Sequence, residues 1–548
     1  MSIFEHFIRI LVNKTGNLIN KTSDLPFSKI SQLSQRDVSY ASEDSPLHSL
    51  LPYSPTLEGL KQSIQDRSKH SIDRDLLVKV LKDQYKDFEN VEEIGKNIEL
   101  LAKKNCFTIT TAHQPVVLTG PLYVIYKALS AVQWAQKLQA ETPGAHILPL
   151  FIVGGEDHDF EEIKSTHVFR KEFTWDYQHK GGAVGRIPSQ ELLSIVEEVE
   201  QLFENDPKGK ELLQSMKSSY ANKEGHFTRA TREILHHLMG HLGLICLDMS
   251  DARFKQHFIP YIKKEVLASE SKSHVLEMQQ DLESLGFDHQ AYVRDINFFY
   301  LRAHSRELIL KKDGVFKVDS GELEWTADEM EKEIETNPER FSPNVIMRPV
   351  YESVFLPDIA YVGGGGELAY WMERPRQFDA LNVHFPVLLR RKSLALIDET
   401  LLNQWEELGF RIAELVSHSD ELKKNFVYQE SEIGLDDELN QITSVFKGIE
   451  KKAVDIDPSL EGKVKGMQKS VENMLEGLEK RMVRSTKKKY DEKISKIDKI
   501  KSRIHPDHSL QERSENILSF YSRTEKPFID YLMEHIDATN GEFSFLVV

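Results

Sequence analysis

Residues 108–139 read TITTAHQPVVLTGPLYVIYKALSAVQWAQKLQ, and residues 141–163 read ETPGAHILPLFIVGGEDHDFEEI. The first stretch opens in a β-branched run, Phe107 to Thr111, which favours a strand. A turn-rich segment follows, holding His113, Gln114, Pro115, Thr119, Gly120 and Pro121. Leu122, Ile125, Tyr126, Leu129, Val132 and Trp134 then recur at helical spacing, with Pro121 at a first helical position as the start signal. Ile147 to Val153 is nearly all apolar and reads as a second strand. Strand, helix and strand at this length make a βαβ unit. The unbroken apolarity of the second strand predicts a parallel sheet covered on both faces. Such sheets bind ligands outside the carboxyl ends of their strands. Gly154, Gly155, Glu156, Asp157, His158 and Asp159 fall at that end. Two polar clusters, around His113 and around Asp157, are therefore predicted to face one crevice.

The chain has 548 residues, enough for two or three structural units. Its net charge of -17 argues against general binding to nucleic acid or to an anionic membrane. The two cysteines, Cys106 and Cys246, sit in apolar strand-like runs and suggest neither a disulfide scaffold nor a zinc site. A reducing, cytoplasmic setting fits. The N-terminal IFEHFIRILV is broken by Glu5, His6 and Arg9 and lacks a small-residue cleavage site, so it reads as an amphipathic segment. No apolar run approaches membrane-spanning length.

Residues 1 to about 105 read as mostly helical and polar. Gly181, Gly182 and Gly185 mark a loop, residues 190–242 read as helices, and Gly243 to Asp248 as a short buried strand. Residues 292–325 suggest an antiparallel insertion, and 344–392 return to strand-and-turn character. From about 396 the helices lengthen. Leu435, Leu439, Ile442, Phe446, Ile449, Ala453 and Ile456 form an a/d seam. Asp457, Pro458 and Ser459 force a turn, and one long second helix is predicted to run to Ile504, its register slipping between Leu478 and Tyr490. So short a turn makes the pair an antiparallel coiled-coil hairpin. The expected division is a Rossmann-like α/β core over 1–395 with connective insertions at about 160–345, a coiled-coil domain over 396–506, and a segment over 507–548 that returns to the core.

The stretches TGPLYVIYKALS, GGEDHDFEEI and AYVGGGGELAYW, in this order, resemble the BshC family, the cysteine-adding enzymes of bacillithiol synthesis. The likeness extends over essentially the whole chain. It implies a Rossmann-like core similar to class I nucleotidyltransferases and aminoacyl-tRNA synthetases, a coiled-coil domain and a homodimer. The implied reaction joins the carboxyl group of cysteine to the amine of glucosaminyl malate. The family often has a proline inside the glycine run, where this chain has four glycines, Gly363 to Gly366.

Making an amide from a free carboxylate is uphill in water, so the carboxylate needs activation as a phosphate or adenylate. The class I likeness implies ATP with Mg2+, although no GxxxxGK[ST] loop is present and no tightly bound cofactor is evident. Asp157, His158 and His113 are the catalytic candidates. His113 and Gln114 stand where class I enzymes put phosphate-handling histidines; the plainer reading is that His113 caps a loop. Backbone N–H groups near Thr119 and Gly120 could bind an anion, with Tyr123 and Lys127 as further substrate contacts. Glu156 joins Asp157 in a strand-end loop suited to an ammonium, while Asp159 fits a helix start. Gly364 and Gly365 allow close backbone approach, and Glu367 could take an amino group or a sugar hydroxyl. Tyr370 and Trp371 read as core. Arg348, in a strand-like run before Pro349, could pair with a carboxylate of malate. Arg390, Arg391 and Lys392 are candidates for a nucleotide, or else a solvated basic corner. No metal site is predicted, since one His–Asp pair lacks further ligands. Two rivals stay open: a nucleotidyltransferase for another acid or sugar, and a non-catalytic ligand-binding scaffold.

Overall fold

A computed structural model describes residues 22–222, 225–431, 435–506 and 509–548. The amphipathic reading of Ile3 to Val12 lies outside the described residues. The chain divides into two compact units, one of residues up to 396 with 509–546 and 548, the other of 397–508 with 547.

The first unit is built on five parallel strands: β1 (Cys106–His113), β2 (His146–Val153), β3 (Ile245–Leu247), β4 (Asp358–Gly363) and β5 (Val387–Arg390). Their spatial order is β5-β4-β1-β2-β3. The chain moves outward in one direction from β1 to β3, then starts again on the other side with β4. This is the doubly wound order, and it places a switch point between β1 and β4. The core explains the apolar runs, since β1 is buried except at His113 and β2 except at His146. Helix α1 (Leu122–Glu141) connects β1 to β2 and buries Leu122, Ile125, Tyr126, Leu129 and Val132. Pro121 precedes its first turn as the cap residue. Cys106 and Cys246 are both free and buried.

A five-stranded antiparallel sheet, in the order Glu324–Trp325, Val315–Val318, Ser305–Lys312, Phe298–Arg302 and Phe341–Pro343, forms the expected insertion and adds a strand beyond it. Helix α2 (Ala252–Ala268) precedes it. Arg348 does not lie in the strand that its apolar, strand-like run predicts. Arg348–Phe355 is helix α3, with Pro349 in the first turn, where its missing N–H costs nothing. Met347, Val350, Tyr351 and Phe355 recur at helical spacing and are all buried, so one packed face overrides the β-preference of this run. Helix α4 (Gly365–Trp371) follows β4 directly. The C-terminal strand Phe543–Val547 pairs antiparallel with Thr22–Leu25.

The second unit is helical: Glu399–Glu407, Ser419–Ser431, Asp436–Ile456, Glu461–Lys489 and Asp491–Ile504. Asp457 accepts a hydrogen bond from the Ser459 N–H at 2.9 Å and turns the chain between the hairpin helices. The second arm is two helices, not one. It breaks at Tyr490, whose ring packs edge-on to Phe426 and whose hydroxyl donates to the Glu430 carbonyl. The hairpin leaves apolar seam positions exposed, among them Ile449, Ile456, Met467, Met474 and Leu478. Among the described residues no helix is long and apolar enough to cross a membrane.

Candidate active site at the strand switch point

A cavity of about 610 Å³ opens outside the carboxyl ends of β1, β2 and β4. His113 comes from the end of β1, Glu156 and Asp157 from the loop after β2, and Gly364 to Glu367 from the cap and first turn of α4 after β4. The structure thus brings both predicted clusters to one crevice. Arg306 from the antiparallel sheet, Arg348 and Glu352 from α3, Arg391 after β5, and Arg513 complete the charged lining.

Two buried lysines organise the walls. Lys127 has no exposed surface; its Nζ donates to the Ala112 carbonyl and lies 2.7 Å from Glu367 Oε1. Burial works against its charge, and Glu367 opposes that effect. Glu367 also accepts from the Gly364 N–H at 3.0 Å, capping the first turn of α4, and from the Tyr361 hydroxyl at 3.2 Å. On the other wall Lys255 of α2, equally buried, lies 2.8 Å from Glu156 Oε2 and donates to the Phe341 carbonyl at 2.9 Å. The other oxygen of Glu156 is buried without a hydrogen-bond partner. Buried polar atoms are nearly always satisfied, so an unpaired acceptor at a cavity wall suits a ligand donor.

His113 lies 2.8 Å from the Gln114 carbonyl through Nδ1 and 2.9 Å from the Tyr123 hydroxyl through Nε2. A carbonyl only accepts, so Nδ1 carries the proton and Nε2 accepts from Tyr123. Burial, with Lys127 nearby, pushes the imidazole down to about 4, so it is neutral at pH 7. Across the crevice Arg306 donates to His158 Nδ1 at 3.0 Å and lies 3.4 Å from Asp157 Oδ1. Burial raises Asp157, but its contacts with His158 and Arg306 outweigh this and hold the carboxyl well below the usual carboxylate range. Gln114 reaches Glu162 at 2.8 Å.

Several predicted residues do not line this cavity. Thr119 and Gly120 are buried beneath the C-terminal segment: the Leu122 N–H at the helix start donates to the Glu515 carbonyl, and Asn516 donates to the carbonyls of Leu118 and Gly120. That helix start is therefore closed to an anion. Lys127 stands behind the wall, paired with Glu367. His158 lines a neighbouring hollow with Phe160, Trp175, Tyr177 and His179. The basic corner is neither solvated nor free. Arg390 holds Asp37 with two hydrogen bonds at 2.7 and 3.0 Å, Lys392 bonds Asn540, and only Arg391 reaches the cavity, while bonding Glu512 at 2.8 Å. The glycine run serves packing as much as access, because a Cβ on Gly365 would lie 2.3 Å from Asp37 Cγ.

The sequence reading missed Arg306, Glu352 and Arg513; Tyr370 is buried in the core as expected, and its hydroxyl also accepts from Arg348 at 2.8 Å on the cavity wall. Glu352 is 4 % exposed. Burial pushes its carboxyl up to about 7, with Arg348 opposing and Asp358 and Glu367 adding to the rise. The signal available for it was the four-residue spacing from Arg348, meaningful only once α3 is known to be a helix.

A doubly wound sheet with a charged crevice at its switch point, joined to a helical hairpin unit, defines a Rossmann-like protein with a coiled-coil domain. The chain belongs to the BshC family. The model for the BshC N-terminal Rossmann-like domain of bacillithiol biosynthesis matches residues 21–392, and that for the BshC C-terminal coiled-coil domain matches 394–548. A protein from Flavobacterium psychrophilum bearing the name "Putative cysteine ligase BshC" is 34% identical over 96% of this chain and 99% of its own length. Proteins of the same name from Christiangramia forsetii and Bacillus thuringiensis are 35% and 25% identical, each over 92% of this chain and 95% and 96% of theirs.

Proposed function

We propose that this protein is a cytoplasmic ligase that joins the carboxyl group of cysteine to the amine of glucosaminyl malate, the last step of bacillithiol synthesis. The observation that carries the reading is the mixed charge of the switch-point crevice. Carboxylates of Glu156, Asp157, Glu352 and Glu367 face Arg306, Arg348, Arg391 and Arg513 within one cavity. Both substrates carry an amine and at least one carboxyl group, so each needs acceptors and cations together. In this reading Arg348 and Arg513 take carboxylates and the unpaired Glu156 oxygen takes an ammonium.

ATP supplies the activation of the carboxyl group in this proposal. Among the described residues no group of three or more His, Cys, Asp or Glu side chains is placed to hold a metal ion, so Mg2+ would arrive on the nucleotide phosphates. The exposed seam residues of the hairpin favour a homodimer through that unit; sedimentation of I456E against wild type tests it, and an unchanged monomer in both removes it. The reaction itself is tested by mass spectrometry of purified protein with glucosaminyl malate, cysteine and ATP-Mg2+, omitting each in turn. A cysteinyl amide that requires all components is the expected result. Its absence from the complete mixture overturns the reading.

A further inference from the structure

An amine attacks an acyl carbon only after losing a proton, so the crevice needs an acceptor not already committed elsewhere. The carboxylates that line it can be compared one by one. Glu156 is held by Lys255 through one oxygen while its free oxygen is the one assigned above to a bound ammonium, Asp157 is held by Arg306 and the His158 N–H, Glu162 by Gln114, and Glu367 by Lys127 and the Gly364 N–H. His113 is engaged at both nitrogens. Glu352 differs. Its nearest cation is Arg348, with Nε 3.8 Å from Oε1, beyond hydrogen-bond reach, and among the described residues no protein group donates to its carboxylate.

Resting on the ligase reading, we propose that Glu352 is the general base that takes the proton from the attacking ammonium. The deprotonated amine then forms the C–N bond with the activated cysteinyl carboxyl, an acyl phosphate or adenylate. The C–O bond to the leaving group breaks, the leaving phosphate or AMP takes its electron pair, and the second nitrogen proton passes to water. The groups facing Glu352 are Arg348 on its own helix, Glu367 and Lys127 from the opposite wall, and Asp358 at the start of β4. Together with burial they leave its carboxyl near the midpoint of ionisation at neutral pH, the condition a base needs.

The test compares wild type, E352Q and E352D in the amide-forming assay from pH 5.5 to 9, alongside calorimetry of glucosaminyl malate binding in two buffers of different ionisation enthalpy. The expected result is a loss in kcat on the order of 100-fold or more in E352Q, with KM changed less than about threefold, partial rescue in E352D, and disappearance of the acidic limb of the kcat/KM profile. E352Q within about threefold of wild type, or an acidic limb that persists in it, overturns the proposal. If wild type forms no amide, the ligase reading fails and calorimetry decides. An ammonium bound beside Glu352 drives off its proton, on the order of half a proton per site at pH 7. Loss of that release in E352Q upholds Glu352 as the group that faces the amine. Equal release in both proteins, or no binding by either, overturns it.

Discussion

Lys127 Nζ lies 2.7 Å from Glu367 Oε1, and the lysine has no exposed surface while the glutamate faces the crevice. The pair ties α1 to the first turn of α4 across the switch point. Removing one partner leaves a buried charge without its counter-ion, which costs about 3–5 kcal/mol. K127M is therefore expected to lower stability by that order in urea denaturation, and K127M/E367Q to recover a good part of it. A single variant within about 1 kcal/mol of wild type would show that the pair does not hold the two elements together.

The glycines of the run are not equivalent. A Cβ on Gly366 meets nothing within 4 Å, whereas one on Gly365 runs into the Asp37 carboxylate. G366A is expected to melt at or slightly above the wild-type temperature, since alanine is favoured over glycine in a helix by roughly 1 kcal/mol. G365A is expected to lose about 1–3 kcal/mol as overpacking displaces Asp37 from Arg390. Calorimetric melts of the two side by side settle the matter; equal melting temperatures would contradict the packing described.

Glu352 also makes stability depend on pH. Its carboxyl titrates near 7 when folded against an ordinary value of 4.5, so the folded chain holds more protons between those values. Its contribution is fully present below pH 4.5 and is lost as pH rises through 7. The difference corresponds to at most roughly 3 kcal/mol. E352Q should therefore gain stability over wild type at pH 8 and lose most of that advantage at pH 5. Parallel thermal melts at the two pH values check this, and an advantage independent of pH would contradict it.

His113 should be silent across the physiological range. Nitrogen-detected NMR is expected to show the Nδ1–H tautomer, with no titration between pH 5 and 8, because burial holds the ring near 4. In Y123F the Nε2 signal should shift while Nδ1–H stays, since only the hydroxyl donor is lost. A midpoint near 6.5 in wild type would show that the ring is open to water.

The βαβ unit was legible because a strand run, a helical repeat and an apolar strand follow one another within sixty residues. The hairpin was legible because its seam repeats and Pro458 interrupts it. Local pattern also found the two strand-end clusters, which the parallel sheet then brings together. It could not find Arg306, which meets Asp157 only through the antiparallel insertion, nor Glu352, whose run of Val, Tyr and Phe mimics a strand. The fates of Lys127, Arg390 and Lys392 were hidden for another reason. Their partners Glu367, Asp37 and Asn540 lie far away in sequence, so cations that look available in the sequence are already spoken for in the fold.

The covering of the α1 start by Glu515 and Asn516, and the bond from Arg391 to Glu512, tie the crevice to residues remote from its strands along the chain. The walls of the crevice come from residues spread over 112–391 together with Arg513, and Glu512, Glu515 and Asn516 brace them from behind. Without Glu512, Glu515 and Asn516 every strand of the parallel sheet would be present, but not the clasp at its ligand-facing edge. The ligand-facing edge of the sheet is thereby braced by a segment that lies more than a hundred residues downstream of the last parallel strand.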